Sequence, residues 1–216
     1  MKKILFILSF ISISVLNAQE NKPFSVFDIG FYSGINFYNT DNIRGDFFVE
    51  LKTNLISSLK LKASAGYFRT IQPYSSLIKT YSEYTINDTI PIFFAGKYNI
   101  VSKNYDVFPL TLGIQYNFNQ SIFSPYLSID VVYNFINSSI ATSPPEVWYY
   151  DSIDKIPAEF KETQKKEELP DNSFGIIFGA GTSYHISSKL NLDVRYLFKY
   201  DNKIINTHHF IVGIYF

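Results

Sequence analysis

The sequence predicts an all-β protein: an eight-stranded antiparallel up-and-down transmembrane β-barrel with short periplasmic turns and two long extracellular loops. Three observations predict it. Apolar and polar residues alternate with a period of two along most of the chain, the alternating runs are about 9–13 residues long, and the connections between them alternate between short and long. A strand of a soluble protein averages ~5–6 residues, whereas a tilted strand crossing a bilayer needs ~9–11. Composition agrees with a membrane strand protein. The chain has 216 residues and is 46% hydrophobic and 18% aromatic (21 Phe, 17 Tyr, 1 Trp). Its mean hydropathy is only +0.01, too polar for a bundle of membrane helices, and it is too aromatic for an ordinary soluble domain.

The first 18 residues place Lys2 and Lys3 before an apolar run from Ile4 to Leu16 and end on the small Ala18, the layout of a secretory signal peptide. A membrane anchor would need ~20 apolar residues, and this run is shorter and interrupted by Ser9, Ser12 and Ser14. The division is therefore a signal peptide over residues 1–18, which exports the chain, and a barrel domain over 19–216. The count of Cys is 0, which excludes a disulfide scaffold, a Cys-ligated metal, a thiol nucleophile and an acylated N-terminal anchor. The formal charge of +0 becomes −2 once Lys2 and Lys3 are set aside, so no basic field exists to gather nucleic acid.

The strands follow in order. Phe27, Ile29, Phe31, Ile35 and Phe37 share one face, opposite Asp28, Gly30, Tyr32, Gly34 and Asn36. Phe47 to Leu55 repeats the pattern against Phe48, Glu50, Lys52 and Asn54, and Leu59 to Tyr67 repeats it against Lys60, Lys62, Ser64 and Gly66. Further runs are Phe108 to Phe118, Leu127 to Phe135 opposite Ser128, Asp130 and Asn134, and Phe174 to Tyr184. Leu190 to Phe198 runs opposite Asn191, Asp193, Arg195 and Lys199, and the chain ends on His208 to Phe216. Residues 56–58, 119–122 and 186–188 make short turns. Residues 70–104 and 137–172 make the long loops, with shorter links at 39–45 and 200–206.

A soluble sandwich would account for each strand alone, with the apolar face inward. Against it stand the strand lengths, the alternation of loop lengths, and the aromatic residues at strand ends on the apolar face: Phe27, Phe37, Tyr67, Phe108, Tyr116, Phe118, Phe135, Tyr184, Tyr196, Phe198 and Phe216. Such rings form girdles at the two lipid–water boundaries. Lipid cannot satisfy an open strand edge, so the last strand must pair with the first. An eight-stranded barrel is filled by its own side chains. Glu50, Lys52, Lys60, Lys62, Asp193 and Arg195 are then expected to form an interior polar cluster, since charges in a narrow lumen must be paired. If His185 pairs with Lys189, Arg195 falls opposite Gly179 and Asp193 opposite Gly181, the glycines vacating room. If Leu55 pairs with Leu59, Lys52 falls opposite Lys62.

The C-terminal stretch Ser173–Phe216, with GIIFGAGTSYHISSKLNLDVRY, and the segments YDVFPLTLGIQYNF and SPYLSIDVVYNF resemble the outer-membrane β-barrel (porin-like, PorT-like) proteins of Bacteroidota. The likeness covers nearly all of the mature chain and rests on moderately specific motifs: Tyr-x-x-x-Pro leading into strand four, Pro-Tyr leading into strand five, Gly-x-Gly in strand six, Arg-Tyr in strand seven and a terminal Phe. The resemblance implies the fold and the address. It also implies that Phe216 is read by the barrel assembly machinery, and it implies no single biochemical activity.

No catalytic, cofactor or metal site stands out. Of the 3 histidines, His185 with Ser187 resembles the His-x-Ser pair of outer-membrane lipid A deacylases, but it falls at a short turn with no acid at a matching distance. His208 and His209 are neighbours on a strand and face opposite sides, so they read as solvated loop-edge residues rather than ligands of one ion. Gly175, Gly179 and Gly181 lack nucleotide-cradle spacing and read as packing space. The charged run Lys161 to Glu168 reads as a solvated face. Tyr74, Tyr81, Tyr84, Ile90, Ile92, Phe93, Phe94 and Tyr98 are too many large apolar groups for a disordered loop and predict strand extensions beyond the membrane. The expected role is non-enzymatic: a barrel with a plugged polar interior, embedded in outer-membrane lipid, structural or binding a protein or polysaccharide through loops 70–104 and 137–172. The alternative is a barrel that transports or modifies a lipid or small hydrophobic ligand. A soluble lipocalin-like barrel would need an apolar cavity, which the inward charges oppose.

Overall fold

Aromatic and β-branched residues at every second position hold the chain extended, because they pack on a pleated surface and resist helical rotamers. The computed structural model describes residues 27–39, 42–86, 90–162, 168–187 and 190–216. The signal-peptide segment, Lys165 to Glu167 and Lys189 lie outside the described residues. The strands are β1 (Phe27–Phe37), β2 (Arg44–Ile56), β3 (Leu59–Ile86), β4 (Ile90–Asn117), β5 (Phe123–Thr142), β6 (Glu146–Tyr150), β7 (Asn172–His185), β8 (Asn191–Asp201) and β9 (Thr207–Tyr215). The chain divides into two compact units, residues 1–70, 106–136 and 171–216, and residues 71–105 and 137–170.

The first unit is a closed antiparallel barrel of eight strands. Neighbours pair in the order β1, β2, β3, β4, β5, β7, β8, β9, and β9 pairs back onto β1 from Gly30 opposite Tyr215 to Phe37 opposite His208. Ile29 and Phe216 exchange two backbone hydrogen bonds of 2.8 and 3.0 Å that complete the seam. Side chains sort as a barrel in lipid requires: Phe31, Leu51 and Ile129 lie outward, 43%, 46% and 42% exposed, while Tyr32, Glu50 and Asp130 are buried. All eight expected strands are present.

Two registers differ from expectation. Arg195 stands opposite Gly181 and Asp193 opposite Ser183, two residues away from the pairing with Gly179 and Gly181, because His185 pairs with Asn191 rather than Lys189. The N–H groups of Ile186 and Ser187 both bond the carbonyl of Leu190, so the turn reaches further along the chain than the sequence suggested. Ile56, not Leu55, pairs with Leu59, and the ladder shifts between Asn54 and Ile56. A bulge there adds one residue to β2 beyond the regular ladder, which keeps Thr53 opposite Phe27 and Leu61, where it is buried. Lys52 still stands opposite Lys62.

The second unit is built from the upper halves of β3 and β4 together with the end of β5 and β6. The strand extensions expected for residues 70–104 are present, since β3 and β4 are each 28 residues long. The short strand β6 within residues 137–172 has no counterpart in the sequence reading. Its five residues, Glu-Val-Trp-Tyr-Tyr, are too few to show a period. It pairs with β4 from Phe93 opposite Tyr150 to Lys97 opposite Glu146. A single helical turn, Ala158–Lys161, sets Phe160 against Phe93, Ala95 and Ile156 as the small core of this unit.

Candidate functional site

The barrel interior is organised by the alternation of β2 and β8, which places Glu50 with Lys52 and Asp193 with Arg195 on inward positions two residues apart. The guanidinium of Arg195 donates to both oxygens of Glu50 at 2.8 and 3.1 Å and to Asp193 at 2.9 Å. Lys52 Nζ lies 3.1 Å from Glu50 and 3.4 Å from Asp193. These four groups are all buried, and their charges cancel, two against two. Tyr126 and Ser183 donate further hydrogen bonds to Asp193 at 2.8 and 3.2 Å. The ring of Tyr32 lies 3.9 Å below the Arg195 guanidinium, and Lys52 sits 4.7 Å from the ring of Tyr215. A fork of donors held by two carboxylates and an aromatic face leaves a buried guanidinium neither unpaired nor free to turn.

The remaining lysines of the expected cluster stand elsewhere in the lumen. Lys62 pairs with Asp130 of β5 at 2.9 Å, both buried. Lys60 pairs with Asp28 of β1 at 3.1 Å and is partly exposed. Two further groupings extend the polar interior. Lys199 donates to Asp201 at 2.8 Å, and Asn134 and Ser173 donate to the same carboxylate at 2.8 Å each. His209 is buried, with Nδ1 2.7 Å from Asp46 and Nε2 2.8 Å from the Thr207 hydroxyl. That corrects the expectation of two solvated histidines. His209 is the inward member of the pair, so the carboxylate of β2 reaches it. His208 faces the other way, its Nδ1 bonded to the Tyr196 hydroxyl and its ring stacked 5.5 Å from Phe37.

Asp28, Asp130, Tyr32, Tyr126 and the His209–Asp46 pair are lumenal partners that the sequence reading did not single out. The parity that placed Glu50 and Arg195 inward also placed Asp28, Tyr32 and Asp130 there, so the signal was present for those three. Glycine roles differ from expectation too. A Cβ on Gly181 would lie 2.6 Å from the Tyr126 hydroxyl, so this residue makes room for a tyrosine rather than for Arg195. A Cβ on Gly179 would meet Ser128 Oγ at 2.3 Å.

Between the charged groups and the inward Phe48, Ile177, Leu197 and Ile211, the lumen retains a cavity of about 20 Å³. That is room for about one water molecule. At the short turn, His185 Nδ1 bonds Asn191 Oδ1, and the Ser187 hydroxyl accepts the Leu190 N–H. No acidic group adjoins His185 in these contacts. Among the described residues, no group of three His, Asp or Glu side chains is placed to hold a metal ion.

No protein-family model matches the chain, and no curated protein matches it in sequence. Solved structures do match. Neisserial surface protein A superposes with a TM-score of 0.52 at 13% identity, over 88% of this chain and 95% of that one. The N-terminal β-barrel domain of Pseudomonas aeruginosa OprF gives 0.46 at 13% identity, over 88% and 95%. Ail, the attachment invasion locus protein of Yersinia pestis, gives 0.43 at 11% identity, over 88% and 96%. The first of these likenesses establishes a shared fold, the eight-stranded barrel of outer-membrane proteins.

Proposed function

We propose that this chain is a non-enzymatic outer-membrane barrel whose lumen is closed by its ion-paired interior. Its work is binding, carried out by residues 71–105 and 137–170 outside the membrane. The observation that carries the reading is the inversion of its surfaces: Phe31, Leu51, Leu112 and Ile129 face outward while Glu50, Lys52, Asp193 and Arg195 are buried and mutually neutralised. Such a body is stable only with acyl chains around it. The small size of the cavity between Glu50, Lys62 and Arg195, about 20 Å³, supports an anchor rather than a channel. The sequence resemblance supports grouping the chain with the porin-like, PorT-like barrels of Bacteroidota, with Phe216, at the seam, as the residue offered to the assembly machinery.

The test is fractionation with two functional readouts. The protein is expected in outer membranes after alkaline washing, to be released by detergent, and to give no stepwise conductance when reconstituted in planar bilayers. Protease added to intact cells is expected to cut within residues 71–105 or 137–170. Recovery in the soluble periplasmic fraction, or steady single-channel currents, would overturn the reading.

A further inference from the structure

We infer that the open face of the outer sheet is a binding site for an uncharged pyranose oligosaccharide. The inference rests on the proposed role of this unit outside the membrane and names its ligand class.

Strands β3, β4 and β6 form a sheet whose two faces are unequal. One face is covered: Phe160 and Ile156 pack on Phe93 and Ala95, and Trp148 lies 5.7 Å from Phe160. Lys79, Lys97 and Glu146 of the sheet lie on that side. Lys79 reaches Glu159 beside Phe160 at 2.6 Å, and Lys97 pairs with Glu146 at 2.9 Å and lies 5.2 Å from the Trp148 ring. The other face is not covered by any of the described residues, and it is the one a water-exposed sheet would normally furnish with Lys and Glu. Here it carries a groove of about 520 Å³ with no charged side chain among the described residues of its lining. Phe94, Gly96 and Tyr98 of β4 form the floor, Thr80 and Ser82 of β3 one wall, and Ser143 and Val147 the other. Tyr149, 71% exposed, meets Phe94 at 5.0 Å between ring centroids and continues the aromatic surface past the groove. The Ser143 wall is fixed, its hydroxyl accepting the Asn99 N–H at 2.9 Å and its own N–H donating to Asn99 O at 2.8 Å.

The chemistry of the lining selects its occupant. Aromatic rings attract polarised C–H edges, and a pyranose presents such C–H groups on its flat faces. Neutral hydroxyls both donate and accept, and so match the rim of hydroxyls that the sugar carries. A charged ligand would find no counter-ion among the described residues that line the groove, and its desolvation would go uncompensated. The absence of a side chain at Gly96 keeps the groove deep between the two rings. A Cβ there would meet its first atom, Glu146 O, only at 3.5 Å, so substitution fills the groove without disturbing the sheet.

The experiment uses the full mature chain in lipid nanodiscs, titrated calorimetrically with cellopentaose, maltopentaose, laminaripentaose and chitopentaose, and with sulfated maltopentaose as the anionic comparison. Saturable binding of at least one neutral pentasaccharide is expected, weakened tenfold or more by Gly96→Leu and by Tyr149→Ala. Both variants should retain the circular dichroism and heat stability of the parent. Binding confined to the sulfated sugar, binding untouched by both variants, or no binding at all overturns the inference. So does a Tyr149→Ala-sensitive dimer without sugar binding, which would assign the face to a second copy of the chain. Protease shaving of intact cells separates the two claims. Cleavage within residues 71–105 without sugar binding removes only the inference, whereas cleavage seen only after lysis removes the proposed function.

Discussion

At Arg195 three of the guanidinium's hydrogen bonds go to two carboxylates from two strands, so the position of each of these side chains depends on the others. Glu50→Leu leaves Arg195 and Lys52 sharing Asp193 alone, one buried positive charge in excess. The expected loss is ~3–5 kcal/mol, the cost of removing one partner from a buried pair. Heat-induced unfolding in micelles reads it, and an unchanged midpoint would mean that the cluster bears no stability. Glycines provide a second residue-level contrast. A Cβ on Gly113 would fall 2.0 Å from Asp130 Oδ1 and 2.3 Å from the Ile129 carbonyl, whereas nothing lies within 4 Å of one on Gly45. Gly113→Ala should cost ~1–3 kcal/mol by overpacking, and Gly45→Ala should stay within ~0.5 kcal/mol, as surface changes do. Equal effects in urea titration would contradict this account of the inward wall.

At the scale of the element, each barrel strand is one sequence read on two surfaces. On β5, Tyr126, Ser128, Asp130, Val132 and Asn134 are buried, and Leu127, Ile129 and Val131 between them are about half exposed. Ile129 falls near the middle of the barrel portion of this strand. Ile129→Lys should therefore cost ~2–4 kcal/mol in lipid vesicles, where a cation at mid-depth must leave water. The same substitution on a soluble sandwich's outer face would cost almost nothing, so a null result would remove the bilayer from the explanation. The bulge near Leu55 and the longer turn after His185 shift ladders by one and two residues. They are local decisions of the turns, and the side-chain period alone is blind to a two-residue slip, because it returns every residue to the same face.

For the molecule as a whole, closure of β9 on β1 satisfies every barrel edge within residues 27–70, 106–136 and 171–216. The barrel should therefore survive loss of the outer hairpin. Replacing residues 76–100 by Asn-Gly is expected to leave its heat stability within a few degrees of the parent's while abolishing any sugar binding. Collapse of the folded yield would show that the outer strands are needed to build the barrel rather than carried by it. Ion pairs around Glu50, Lys62 and Lys199 and the hydrogen bond between His209 and Asp46 are buried on the inward side of the barrel strands.

The period-two pattern of Phe31, Leu51, Leu112 and Ile129 determined which residues share a face, because that is a local property of the extended backbone, and the length of the runs with the alternation of short and long links turned that face toward lipid in a barrel. It determined equally that Glu50, Lys52, Asp193 and Arg195 share the inside. Which carboxylate meets which cation was decided only by the tertiary structure, since Asp130 reaches Lys62, Asp28 reaches Lys60 and Asp46 reaches His209 across a register set by turns and bulges. The uncharged open face of β3, β4 and β6 was likewise invisible in the sequence: Thr80, Phe94 and Val147 become one surface only when three strands are laid side by side.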